Sequence, residues 1–262
     1  MGQGRGIFPG LLLAALILGL WLGSPHPVRA ASIFADWTAV VIAGDYHAHS
    51  GAESEAFDNA RRDVAAQLGK MGFTPANVVQ FSTRPDRYPQ QALRMAAIPM
   101  IRAGLLETAS KAKGGCLVYY SSHGIPGGLI LTTEQQGYIT PGTLRQMIDT
   151  ACPGRPSIVV LSACFSGGFI PGLERNDRMI FTAARPDRTS FGCGESDKYP
   201  YFDTCFLEQA PGAHDFVNLA QRTTACIAAK EMATGATPPS EPQLWIGPAI
   251  KPLLPLYAFP SG

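Results

Sequence analysis

Two short segments of the chain combine residue types that could do covalent chemistry: Tyr119-Tyr120-Ser121-Ser122-His123-Gly124 and Val159-Val160-Leu161-Ser162-Ala163-Cys164-Phe165-Ser166-Gly167-Gly168. Each is an apolar run of strand character that stops at small residues and one reactive side chain. In an open parallel sheet the carboxyl ends of neighbouring strands share one crevice, and ligands bind there. Adjacent strands lie ~5 Å apart, so an imidazole at one end and a thiol at the next are within reach. A thiol is mostly protonated at neutral pH and attacks carbonyls only as the thiolate. His123 would take that proton from Cys164 and later deliver one to a leaving amine. Gly124 lets the backbone come close to a substrate, and its N–H with that of Cys164 would form an oxyanion hole. Either residue alone reads as structural, a buried cysteine or a turn histidine. The pair, each beside small residues at a strand end, points to acyl transfer by a cysteine nucleophile.

Strands and helices must alternate to place these ends side by side. Thr38–Ala43 is a β-branched run closed by Gly44-Asp45 and reads as a buried strand. Glu53–Met71 has Phe57, Val64, Leu68 and Met71 at helical spacing. Asn77–Phe81 reads as a second strand. Gln91–Lys113 reads as a helix that Pro99 should kink or split. Gly115–Ser121 is a third strand leading to His123, and Gly127–Thr133 a hairpin arm. Thr140-Pro141 opens a short helix. Ser157–Ala163 is the strand leading to Cys164, and Met179–Ala183 a fifth. Phe202–Gln209 and Asp215–Thr234 read as helices, Gln243–Ile246 as a last strand, and Pro248–Gly262, with four prolines, as an extended tail. The pattern predicts an α/β fold, a three-layer α/β/α sandwich with a mainly parallel central sheet.

Composition narrows the function classes. The net charge is +1 and only 16% of residues are charged, with no basic stripe, so no nucleic-acid partner is expected. No Gly-x-Ser-x-Gly elbow and no phosphate-cradling glycine loop occurs. Arg5, the apolar run Leu11–Leu22, the helix-breaking Ser24-Pro25-His26-Pro27 and Val28-Arg29-Ala30 follow the order of a secretory signal peptide over residues 1–30. Twelve apolar residues fall short of the ~20 that span a bilayer. An uncleaved amino-terminal anchor is the competing reading. Residues 31–247 would then be one peptidase-sized domain and 248–262 its tail. Six cysteines in an exported chain invite disulfides. With Cys164 free, five remain, and Cys193 with Cys205 in a polar, turn-rich stretch is the expected bridge. Cys116 in a strand and Cys226 in a helix read as buried thiols.

The two elements together resemble the His-Gly and Ala-Cys motifs of the legumain-like (asparaginyl endopeptidase) cysteine peptidases, a family of the caspase–hemoglobinase fold group that includes the catalytic subunit of the GPI transamidase. The likeness extends to Val40-Val41-Ile42-Ala43-Gly44 and to Thr182–Cys193, about Ala39 to Phe206 in all. It implies His123 as the catalytic imidazole, Cys164 as nucleophile and Gly124 as oxyanion-hole backbone. It also implies Ser190 and Asp203 in the wall of the primary specificity pocket. Two positions depart from the family. Its pocket arginine after the first strand has no counterpart in His49-Ser50-Gly51-Ala52-Glu53-Ser54-Glu55, which leaves Glu53 as a pocket candidate, and Ser162 replaces the acidic residue two before the cysteine. Losing the arginine while keeping Asp203 would tilt the pocket acidic, favouring a basic residue or relaxing selectivity, with the family's asparagine preference the open alternative.

Other groups read more plainly. His47-Ala48-His49 lacks a third metal ligand nearby in sequence, so no metal and no cofactor are expected. Asp45 or one of these histidines could orient His123. Asp58 reads as structural, and Arg61-Arg62, Arg84 and Arg87 as solvated faces. The expectation is an exported, periplasmic or secreted, monomeric cysteine endopeptidase acting on peptide or protein substrates. The periplasm is favoured because no carboxyl-terminal prodomain follows. The alternatives are a transpeptidase of the same chemistry and a non-catalytic peptide-binding module on the same scaffold.

Overall fold

Alternation of apolar side chains along three buried strands builds a core on both faces of one sheet. The computed structural model describes residues 1–4, 6 and 31–260; the apolar run and cleavage motif read as a signal peptide lie outside them. The chain divides into a unit of residues 1–30 and one of residues 31–262. The second unit runs β1 (Trp37–Ala43), α1 (Ala56–Lys70), β2 (Val78–Ser82), β3 (Leu93–Met95), α2 (Ile98–Lys111), β4 (Gly115–Ser121), β5 (Gly124–Ile125), β6 (Gly128–Ile130), β7 (Tyr138–Ile139), α3 (Pro141–Ala151), β8 (Ser157–Ser162), α4 (Ile170–Leu173), β9 (Arg178–Thr182), α5 (Tyr201–Gln209), α6 (Phe216–Thr234) and β10 (Gln243–Ile246). Among the described residues no helix is long and apolar enough to cross a membrane.

Seven strands form the main sheet in the order β10-β9-β8-β4-β1-β2-β3. Every neighbouring pair is parallel except the edge strand β10 on β9. β1, β4 and β8 are buried at every position, which explains their continuous apolar sequences: a central parallel strand is covered on both faces. Successive residues serve opposite layers. Trp37, Ala39, Val41, Leu117, Tyr119, Ile158 and Val160 pack under α1, α5 and α6 through Val64, Leu68, Phe202, Phe206 and Leu219. Val40, Ile42, Val118, Tyr120, Val159 and Leu161 pack under α2 and α3 through Ile101, Leu105, Leu144 and Met147. Each such large side chain contributes about 1.5–3 kcal/mol by leaving water. The α/β/α sandwich read from the sequence is the observed architecture.

Several local expectations are corrected. Gln91–Lys113 is not one helix: β3 precedes α2, and Pro99 sits in the first turn of α2, where its missing N–H costs nothing. The hairpin arm expected at Gly127–Thr133 is present as β6, the middle strand of a small antiparallel sheet, β5-β6-β7, that starts directly after His123. The carboxyl-terminal segment is not an extended tail. Its prolines stop helices, but Ile250, Leu254 and Tyr257 between them are buried, with Tyr257 edge-on to Trp37 at 5.2 Å and Phe259 against Phe216 at 5.0 Å. Arg61 is no solvated residue either. It is fully buried and donates to Asp58, Gln80 and Gln91.

The cysteine pairing differs most. Cys116 of β4 bridges Cys152 at the end of α3, and Cys205 of α5 bridges Cys226 of α6, with Cα separations of 6.4 and 5.7 Å; Cys164 and Cys193 are free. The expected Cys193–Cys205 bond is absent because Cys205 points into the α5–α6 seam, whereas Cys193 faces the strand ends near His49 and His123. Replacing Cys205 and Cys226 together by alanine removes a cross-link across 21 residues. Urea denaturation should then show a loss of about 2–4 kcal/mol. An unchanged midpoint would contradict the bridge.

Candidate active site

Strand register places the reactive residues level with each other. Ser121 pairs with Ser162 across β4 and β8, and two further residues along each strand lead to His123 and Cys164. The Ser122 N–H donates to the Ser162 carbonyl at 3.1 Å, carrying the pairing past the strand ends. A Cβ on Gly124 would run into the carbonyl oxygen of Cys164 and lie 3.0 Å from its carbonyl carbon and 3.1 Å from its nitrogen. The His-Gly backbone therefore rests on the cysteine backbone, and only glycine fits there. After Cys164 the chain turns sharply: Phe165 has φ 58, in the left-handed region. Such a conformation costs a bulky residue roughly 1–3 kcal/mol. Bonds from Phe165 N–H to Arg188 O and from Gly167 N–H to Ala184 O, both 2.8 Å, hold it. Among the described residues no backbone carbonyl accepts the N–H of Cys164.

The imidazole is oriented by the backbone of the loop after β1. His123 Nε2 lies 2.9 Å from the carbonyl oxygen of His47. A carbonyl only accepts, so Nε2 carries the hydrogen and Nδ1 holds the lone pair of the neutral ring. That Nδ1 is buried and has no hydrogen-bond partner. Burial pushes the His123 pKa below the usual histidine range, with the bond to His47 acting in the opposite direction. The edge-on ring of Phe57 at 5.0 Å and His49 at 4.5 Å complete its surroundings. Asp45 shapes the loop by accepting from the backbone of Tyr46 (2.7 Å) and His47 (3.2 Å), and its Oδ1 lies 2.8 Å from His47 Nδ1. The element expected to orient His123 is the one that does so, through a main-chain carbonyl that residue types do not reveal.

Cys164 is 4% exposed and outside any disulfide. Its Sγ accepts from the Ser190 N–H at 3.3 Å and lies 3.6 Å from Ser190 O and 3.7 Å from Ser190 Oγ. Among the described residues no hydrogen bond joins Cys164 to His123. The two share one strand-end site.

The remaining sequence candidates divide between the site and its foundations. Ser190 touches the thiol. Asp203, from α5, is completely buried beneath the strand ends, accepting from Tyr119 Oη at 2.5 Å, Ser121 Oγ at 3.0 Å and Ser162 Oγ at 2.6 Å. Ser162 thus faces Asp203 rather than open space. Glu53 lies at the rim, where its carboxylate meets Arg84 at 3.2 Å and Arg87 at 4.0 Å. Arg84 in turn is only 13% exposed and also reaches Asp58 and the Ser54 carbonyl, so it is a loop anchor rather than a solvated residue. Sequence reasoning missed Tyr119, Ser121, Phe57 and the proximity of Cys193. The hydroxyls sit in the quoted His123 segment at alternate strand positions, which was a usable signal for one face.

Burial pushes the Asp203 carboxyl up to about 6, against the pull of its three hydroxyl donors. The folded state therefore holds this proton more tightly than the unfolded chain. The added stability is complete below about pH 3.8 and is lost as pH rises through about 6. Relative to Asp203→Asn, the native protein should lose roughly 2–2.5 kcal/mol of unfolding free energy between pH 4 and 7. Parallel stability–pH curves for the two proteins would refute the assignment.

Comparison with known proteins agrees with this geometry. Residues 106–234, which span both reactive residues, match the model of the Peptidase C13 family. The fold is similar to the crystal structure of caspase-1 from Spodoptera frugiperda, with a TM-score of 0.57 and 17% identity over 82% of this chain and 88% of that one. At that identity the likeness concerns the fold alone. No curated protein sequence matches the chain. The family match and the fold together fit a legumain-like cysteine peptidase with a caspase-like fold.

Proposed function

We propose that the protein is an exported cysteine endopeptidase in which Cys164 attacks the carbonyl of a peptide bond and His123 moves the protons. The observation that carries this reading is the tautomer of His123: its Nε2 is committed to the His47 carbonyl, leaving a partnerless Nδ1 at the end of the strand beside Cys164. Held below its usual pKa, that imidazole is neutral at pH 7 and able to take the thiol proton. The thiolate adds to the carbonyl carbon. The oxyanion faces the N–H groups of Cys164 and Gly124. The protonated His123 then donates to the departing amine, leaving a thioester on Cys164. Water activated by the same nitrogen hydrolyses it and restores the thiol. No step needs a cofactor.

The residue before the cut is proposed to be neutral and polar, asparagine foremost. Both oxygens of Asp203 are occupied by hydroxyl donors and Glu53 is paired with arginines, so neither offers a free carboxylate to a substrate cation. Two disulfides support an oxidising, periplasmic or extracellular, setting, and the enzyme is proposed to act there as a monomer on peptides or proteins.

A peptide library digested by the purified protein tests the reading. Cuts should follow asparagine, and Cys164→Ala or His123→Ala should lower turnover by at least about 10³-fold. Cuts after lysine or arginine would overturn the specificity. Full retention of cleavage in Cys164→Ala would overturn the nucleophile. Products joined to an added amine instead of water would identify a transpeptidase.

A further inference from the structure

The free thiol of Cys193 is unused by the chemistry above, yet three chain segments bring it to the catalytic imidazole. His49 comes from the loop after β1, His123 from the end of β4 and Cys193 from the loop before α5, and one ligand atom from each lies within 4.8 Å of the others. The His49 N–H donates to the Cys193 carbonyl at 3.4 Å, tying two of the segments together. The His49 and His123 rings are 4.5 Å apart at an angle of 50°. The decisive observation is His123 Nδ1, buried and without a partner, while Nε2 is occupied. A buried nitrogen lone pair with nothing to accept from is costly, and a metal ion satisfies it.

We propose that His49, His123 and Cys193 form an inhibitory site for a soft divalent metal, Zn²⁺ in the first instance. The inference rests on the peptidase reading for its consequence, inhibition, but not for the binding itself. Two imidazole nitrogens and one thiolate are a zinc donor set, with a fourth position for water. Zn–N bonds of about 2.0–2.1 Å and Zn–S bonds of about 2.3 Å require ligand atoms roughly 3.3–3.7 Å apart in a tetrahedron. The observed spacing therefore closes by about 1 Å, and His49, which is exposed, has the freedom to supply that movement. Binding releases the Cys193 thiol proton to solvent and ligates the nitrogen that must otherwise accept the proton of Cys164. The metal thus silences the peptidase by removing its base, without touching its nucleophile.

The full protein, stripped with chelator under reducing conditions, is titrated with Co²⁺ and then Zn²⁺. One equivalent of Co²⁺ should give tetrahedral d–d bands and a thiolate charge-transfer band, and Zn²⁺ should displace it. The charge-transfer band should persist in Cys164→Ala and vanish in Cys193→Ala. In turnover assays, Cys193→Ala should cleave peptide at the native rate without metal and need at least tenfold more Zn²⁺ for half-inhibition, and His49→Ala, read by the cobalt spectrum alone, should bind at least tenfold more weakly. A charge-transfer band that follows Cys164 instead, or equal Zn²⁺ sensitivity in Cys193→Ala, overturns the proposal. The cobalt spectrum needs no turnover, so a protein that binds cobalt through Cys193 but cleaves nothing refutes the peptidase reading and leaves the metal site standing. Circular dichroism of each variant excludes misfolding as the cause of lost binding.

Discussion

The parallel pairing of β4 with β8 is the constraint on which the rest depends. Because Ser121 faces Ser162 in register, an equal step of two residues brings an imidazole and a thiol to the same level of one crevice. A slip of one residue would send His123 and Cys164 to opposite faces. Three features hold the register: full burial of both strands, the close seat of Gly124 on the Cys164 backbone, and the Asp203 carboxylate. Asp203 gathers hydroxyls from Tyr119 and Ser121 on β4 and Ser162 on β8, joining both strands to α5 immediately below the reactive ends.

Different kinds of contact hold the two reactive groups, and this suits their tasks. The imidazole is fixed at one nitrogen by a main-chain carbonyl, which sets its tautomer without adding a charge. The thiol is met by the N–H of Ser190, a contact that, being backbone, survives most substitutions at that position. At the strand ends strain sits at Phe165, whose left-handed conformation turns the chain away from the strand directly after Cys164. A non-glycine residue in that region is uncommon, and such strain collects at functional sites.

The layers and the order of elements were legible because central parallel strands are written as continuous apolar runs and helices as 3.6-residue patterns. The two reactive residues were legible because each breaks such a run. What stayed hidden depended on long-range geometry. Cysteine spacing could not tell that Cys205 turns into the α5–α6 seam and Cys193 towards His123. Arg61 looked like a surface residue because the carboxylate and amides that surround it, Asp58, Gln80 and Gln91, come partly from other elements. The carboxyl-terminal prolines signalled a lack of helix correctly, while the apolar residues between them went unread as core. Asp203 was found by resemblance, but its burial under three hydroxyls follows only from packing.

Covalent labelling read by mass spectrometry tests the central claim most directly. A peptide bearing a thiol-reactive carbonyl electrophile is offered to the native protein and to His123→Ala at neutral pH. The account requires modification of Cys164 alone among the two free cysteines in the native protein, and at least a hundredfold slower labelling once the imidazole is gone. Equal labelling of Cys164 and Cys193, or labelling of Cys164 at the same rate without His123, would mean that the strand ends do not couple the thiol to the histidine.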